Sequence, residues 1–227
     1  MAKASEPKPV KHFCGMLAGD ASLFTVAAER LAEQYGEIDA ESEIFDFNFT
    51  DYYEKEMGPG LRKKFISFRP LIAPGTIVDI KLRTNELEAE IAEQVHGHSA
   101  PAKIRHGQTS LSVAPSSTDG DAKRLGVPRS NSFERANGEG AIRPINLDPG
   151  YLTLSKVVLA TAKDYSHRLY LGRGIYAEVT LHYQKGEFVA WPWTYPDYKT
   201  EGYHAFFRKL REIYLAQLKN LGPLEDE

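Results

Sequence analysis

The chain has a single cysteine, Cys14, so no intramolecular disulfide can form. A lone thiol on an apolar strand reads as a small buried hydrophobe rather than a nucleophile. No apolar run approaches the ~20 residues of a membrane span, and the opening MAKASEPKPV holds no apolar signal core. We therefore expect a cytoplasmic protein without membrane contact. Basic charge is not in excess. Lys and Arg number 28 against 31 Asp and Glu, a net charge of −3, which lacks the footprint of a strongly basic nucleic-acid binder. The usual chemical signatures are missing too: no P-loop, no GxGxxG after a strand, no HExxH, no GxSxG and no Cys/His zinc spacing. Gly172-x-Gly174 belongs to a hairpin, not a phosphate loop. His96-x-His98 is too little for a zinc site, and Asp51, Glu54 and Glu56 define no oxygen-ligand geometry. The sequence assigns no metal and no cofactor.

What is present begins with alternating order. Residues 1–9 are a polar tail and 223–227 an acidic one; 10–222 read as a single α/β domain. Val10 to Leu17 is the first strand. A helix follows to Tyr35, with the stripe Leu23, Ala27, Leu31 and Tyr35, and Gly36 stops it. Ser42 to Asn48 and Arg62 to Arg69 read as strands. Between them Phe49 to Gly60, FTDYYEKEMGPG, is an aromatic and acidic loop, read as solvated surface, metal ligands or a lid. Gly75 to Gln94 is a helix with Ile77, Ile80, Thr84, Leu87 and Ile91 inward. Lys81 and Asn85 share another face, and Arg83 stands three residues before Glu86. These three either make local ion pairs or reach a ligand. From about 95 to 140 the chain turns Ser-, Gly-, Pro-, Arg- and Lys-rich without a lasting period, and is expected to be a disordered insert.

Asn146 to Thr180 is the densest stretch. Asp148-Pro149-Gly150 has the form of a helix start, and the apolar run through Leu159 extends that helix to about Lys163. His167 to Leu171 and Ile175 to Leu181 alternate as two strands, with Leu169 and Leu171 expected inward, joined at Gly172-Arg173-Gly174. A three-residue loop sets Arg168 opposite Glu178 and Tyr170 opposite Tyr176 on one face. That face is either solvated, with one ion pair, or a ligand site. WPWTYPDYKT, from Trp191 to Thr200, is an aromatic arm that either covers the core or stacks on a ligand. The last helix, from Thr200, turns Tyr203, Phe206, Phe207, Leu210, Ile213, Tyr214 and Leu218 inward.

With a fourth strand from Arg143 to Leu147, the order gives an α/β (α+β) fold: a ferredoxin-like βαββαβ core extended by a helix, a β-meander and a C-terminal helix. For function we expect binding or turnover of a phosphorylated small molecule or nucleotide. His167, Glu178 and Lys163 are the candidate catalytic groups; Arg168, Tyr170, Tyr176, Lys81, Arg83 and Asn85 are the candidate ligand contacts. The alternative is a non-catalytic RNA- or protein-binding module using Phe47, Phe49, Tyr52 and Tyr53.

The segments PKPVKHFCGML, FTDYYEKEMGPGL, IKLRTNELE, INLDPGYLTLSKVVLATAKDYSHRLYLGRGIYAEVTL and PWTYPDY together resemble a bacterial family known only as domain of unknown function number forty-four sixteen. The resemblance spans the chain except for its tails and the insert. It implies no activity and carries over no catalytic residue.

Overall fold

The computed structural model describes residues 4–50, 53–97 and 143–221. Strand β1 (Val10–Ala18) is buried along its whole length, so both its faces must be covered. Phe13 points to one side, into a cluster with Phe65, Leu152 and the aromatic face of the last helix. Cys14 and Met16 point to the other, against Leu23, Ala27 and Leu31 of α1 (Ser22–Tyr35) and Leu87 and Ile91 of α3 (Ile77–Gly97). The remaining elements are β2 (Ile38–Glu41), β3 (Phe45–Asp46), the one-turn α2 (Glu54–Met57), β4 (Arg62–Ile72), β5 (Ile145–Leu152), β6 (Lys156–Thr161), β7 (Leu169–Gly172), β8 (Ile175–Gln184), β9 (Glu187–Ala190) and α4 (Glu201–Asn220). All nine of these strands form one antiparallel sheet in the order β2-β4-β1-β5-β6-β8-β7, with β3 on β4 and β9 on β8. The result is an α+β fold of three layers, with α1 and α3 on one face and α4 on the other. Side chains such as Phe13, Phe65 and Phe207, fully buried, contribute roughly 1.5–3 kcal/mol each to that packing.

The expected helix from Asp148 to Lys163 is instead the β5–β6 hairpin. Its turn is set by Thr153, whose Oγ1 accepts from the Ser155 and Lys156 N–H groups. Val157 and Val158 favour the pleated conformation, and the strand is apolar on both faces because helices cover both. Gly150 is a glycine for a reason unrelated to helix starts. A Cβ there would stand 2.4 Å from the Val158 carbonyl oxygen and 2.7 Å from the Phe13 ring. β5 pairs with β6 only from Gly150 to Leu152, whereas its first half pairs with β1 alone. Pro149, without an N–H to give, stands where the β6 pairing stops. The two strands part there, and the sheet opens.

Three further expectations change. The strand expected from Ser42 to Asn48 shrinks to the two-residue β3, and a second strand, β2, lies before it; between the two, Ser42 Oγ accepts from the Phe65 N–H at 2.9 Å. Leu169 and Leu171 do not turn inward; β7 is a sheet edge, and Leu169 is 74 % exposed. The β7–β8 loop is shorter than three residues. Gly172 pairs with Ile175, so Arg173 (φ 54°) and Gly174 (φ 79°) form a two-residue turn with both residues left-handed. Tyr170 still faces Tyr176. α3 extends to Gly97, so the segment from 95 to 97 is helical; the rest of the expected insert lies outside the described residues.

Candidate functional site

Where β5 and β6 part, a cavity of about 670 Å³ opens between them. Its floor is built from Lys63 of β4, Asn146 and Asp148 of β5, and Lys81 and Asn85 of α3. Arg143, just before β5, also lines it. Lys63 Nζ reaches Asp148 at 2.8 Å although β1 lies between their strands. Gly15 allows this: a Cβ there would meet Lys63 Cε and the Phe65 ring, each at 3.0 Å. Burial works against the charge of both partners, but each offsets the other. The Asp148 carboxyl is held well below its usual range by Lys63 and Lys81, and the Lys63 ammonium is raised chiefly by Asp148. Lys81 Nζ donates to the Leu147 carbonyl at 2.7 Å. Behind the floor, Glu88 accepts from the Leu147 N–H at 2.6 Å and from Arg143 Nη2 at 2.6 Å. Burial pushes the Glu88 carboxyl up, against the pull of Lys81 and Arg143.

The opposite wall comes from β8 and the segments on either side of it. Glu178 and Arg168 are both buried, at 3 % and 8 % exposure, and their ion pair is 2.7 Å long. This is a cavity wall rather than a solvated sheet face. Arg168 is committed inside the protein: Nε donates to Glu178, Nη1 to the Lys163 carbonyl at 2.9 Å, and Nη2 to the Tyr195 hydroxyl at 2.6 Å. Glu178 Oε2 also meets His167 Nε2 at 3.0 Å. The His167 ring is stacked on Trp193 (centroids 5.6 Å, 17° between planes), and Trp193 on Trp191 (5.3 Å, 7°). A carboxylate and an indole thus fix the imidazole, which is an arrangement suited to proton transfer.

The aromatic arm closes the third side. Pro196 begins a 3₁₀ turn, Pro196–Lys199, which brings Asp197 and Tyr198 to the cavity. Burial raises the Asp197 carboxyl and pushes the Tyr198 hydroxyl well up. Tyr198 Oη is buried and without a hydrogen-bond partner, whereas the Asn146 amide helps to keep Asp148 ionised.

The structure brings Lys81, Asn85, Lys163, His167, Arg168 and Glu178 to this one cavity. It does not bring Arg83, Tyr170 or Tyr176. Arg83 pairs with Glu90 at 2.6 Å and Glu86 at 3.1 Å on the outer side of α3. Tyr170 and Tyr176 face each other at 5.1 Å on the sheet edge, and Tyr170 is exposed. Lys63, Asn146, Asp197 and Tyr198 were not among the expected site residues. Asn146 and Asp148 alternate with Ile145 and Leu147, a signal that appears once the stretch is read as a strand. Among the described residues, no group of three or more His, Cys, Asp or Glu stands ready for a metal ion.

The α+β sheet opens at one end around this cavity. The chain belongs to the family described as Domain of unknown function (DUF4416), whose model matches residues 8–99 and 127–214. No curated protein and no solved structure matches it. Among the described residues, no helix is long and apolar enough to cross a membrane.

Proposed function

We propose that the cavity binds the anionic group of a phosphorylated small molecule or nucleotide, with His167, Glu178 and Lys163 placed for its turnover. One observation carries the reading: in a chain of net charge −3, the cavity gathers Lys63, Lys81, Arg143, Lys163 and Arg168 against only Asp148, Glu178 and Asp197. The buried Tyr198 hydroxyl adds a donor that has no protein acceptor, and leaving a buried donor unpaired costs about 1–3 kcal/mol. An oxyanion would accept from it. Arg168, whose nitrogens are engaged with Glu178, Lys163 and Tyr195, positions the wall rather than clamping the ligand.

The strand order β2-β4-β1-β5, with α1 and α3 as crossovers, supports a ferredoxin-like reading of this half. It does not favour the RNA-binding alternative. α1 and α3 cover one sheet face and α4 the other, while Phe47, Phe49 and Tyr53 line the cavity instead of an open sheet. The test is a thermal-shift series with inorganic phosphate, sugar phosphates and nucleotides, run on the wild type and on Lys81→Met. A ligand at 100 times its dissociation constant should add ~2.7 kcal/mol, roughly 5–10 °C here, and the folded variant should lose the gain. No shift with any phosphorylated compound, or an equal shift in Lys81→Met, would overturn the reading.

A further inference from the structure

The cavity changes character from floor to mouth. Its floor residues Lys63, Lys81, Asn146 and Tyr198 are each at most 5 % exposed. Its mouth carries four large rings, Phe49, Tyr165, Trp193 and Tyr195, each from 38 % to 60 % exposed, and all four line the cavity. A cluster of exposed rings around one opening is an apolar patch of the kind that marks a binding surface. A sugar phosphate would satisfy the floor and leave these rings in water.

The rings are not equivalent. Trp193 is already stacked between His167 and Trp191, and Arg168 lies over Tyr165 at 5.0 Å. Tyr195 is held by its hydroxyl, which accepts from Arg168, but its ring stacks on no other ring among the described residues. A hydroxyl held by a buried arginine fixes where that ring stands, and it is 43 % exposed. Phe49 meets Phe47 at 5.8 Å in a T-shaped contact and is 38 % exposed.

From these two zones we infer that the ligand is a free nucleotide, its phosphate on the Lys63, Lys81 and Asn146 floor and its base against Tyr195 and Phe49. This rests on the anion-binding reading above and narrows it. Stacking a base on an aromatic side chain tolerates any base, so the mouth selects for a planar ring and not for its identity. The volume of about 670 Å³ lies within the ordinary range for small-molecule sites and leaves room for one nucleotide.

The experiment is calorimetric titration of the full chain with a 5′-mononucleotide, ribose 5-phosphate, the matching nucleoside and a short single-stranded oligonucleotide. The mononucleotide should bind roughly tenfold or more tighter than ribose 5-phosphate. Tyr195→Phe, which keeps the ring, should retain that advantage and Tyr195→Leu should remove it; both lose the hydroxyl's contact with Arg168, so the comparison between them isolates the ring. Circular dichroism checks that both variants fold. Equal binding of the mononucleotide and ribose 5-phosphate overturns the base-stacking inference and leaves the anion site standing. A nucleoside that binds as well as its nucleotide overturns the anion reading, and with it the phosphate on the floor. Binding of neither phosphate compound sinks the underlying reading. An oligonucleotide that binds more tightly than the mononucleotide, with steep salt dependence, replaces a free nucleotide with nucleic acid.

Discussion

His12 is stacked on Phe68 at 4.7 Å and meets the edge of Tyr35 at 4.9 Å, and both its ring nitrogens are buried without a partner. Burial, with Lys11 as a lesser cause, pulls its pKa down to about 3. The unfolded chain binds a proton here below the ordinary histidine value of ~6.5, and the folded chain does not until far lower. Stability is therefore unaffected by this group at pH 8 and falls as the pH drops from ~6.5 towards 3. The loss at pH 5 should be about 2 kcal/mol, from ~1.4 kcal/mol per pH unit. His12→Phe keeps the stacking and cannot take up the proton. Urea unfolding should show the variant gaining on the wild type by about that amount between pH 8 and pH 5. A constant difference across that range would mean that His12 titrates normally. Lys11, the preceding residue, presents the opposite case. It is equally buried, yet its ammonium is fully used, by Asp39, the Phe68 carbonyl and Gln217 of α4. A buried polar group at the sheet centre is tolerated in one position by pairing and in the other by staying neutral.

Elements with one exposed face are legible in the sequence. The inward stripe of α3 is Ile77, Ile80, Thr84, Leu87 and Ile91, all buried, and α4 buries Tyr203, Phe206, Phe207, Leu210, Tyr214 and Leu218 as its spacing implies. The Arg168–Glu178 pair is found although the loop is one residue shorter than expected, because an irregularity between Tyr170 and Gly172 restores the register. The β5–β6 hairpin is not legible, because a strand covered on both faces has no alternation, and Asp-Pro-Gly imitates a helix start. Lys63 escapes a sequence reading for a different reason. Its partner is on β5, and only the gap left by Gly15 in β1 joins them, a relation no local pattern contains. Gly150→Ala separates the two readings of the central stretch by sign. In a helix, alanine would stabilise by about 0.8–1 kcal/mol over glycine. In this hairpin its Cβ would fall 2.4 Å from the Val158 carbonyl, which is backbone and cannot swing aside. We expect a loss of about 1–3 kcal/mol, the usual range for overpacking, in the denaturant midpoint. A more stable variant would reject the close strand pairing.

At the scale of the whole molecule, the described packing is continuous across the sheet. The two core clusters that sandwich β1 draw on α1, α3 and α4, all within residues 4–97 and 143–221. The family model likewise resumes only at residue 127 after stopping at 99. Among the described residues the cavity takes Lys81 and Asn85 from before the segment that joins α3 to β5, and Arg143, Asn146 and Asp148 from after it, so the connection must let α3 and β5 meet. Deleting residues 100–126 shortens that connection by more than half. Loop-closure entropy changes by only ~0.6 kcal/mol for each doubling of length, and shortening works in favour of the folded state. The deletion variant should therefore unfold cooperatively at the same or a slightly higher temperature, and respond to phosphorylated ligands as the full chain does. Two results would count against this. A fall of several degrees would show that the segment stabilises the sheet. Retained stability with a lost ligand response would place part of the binding site within it.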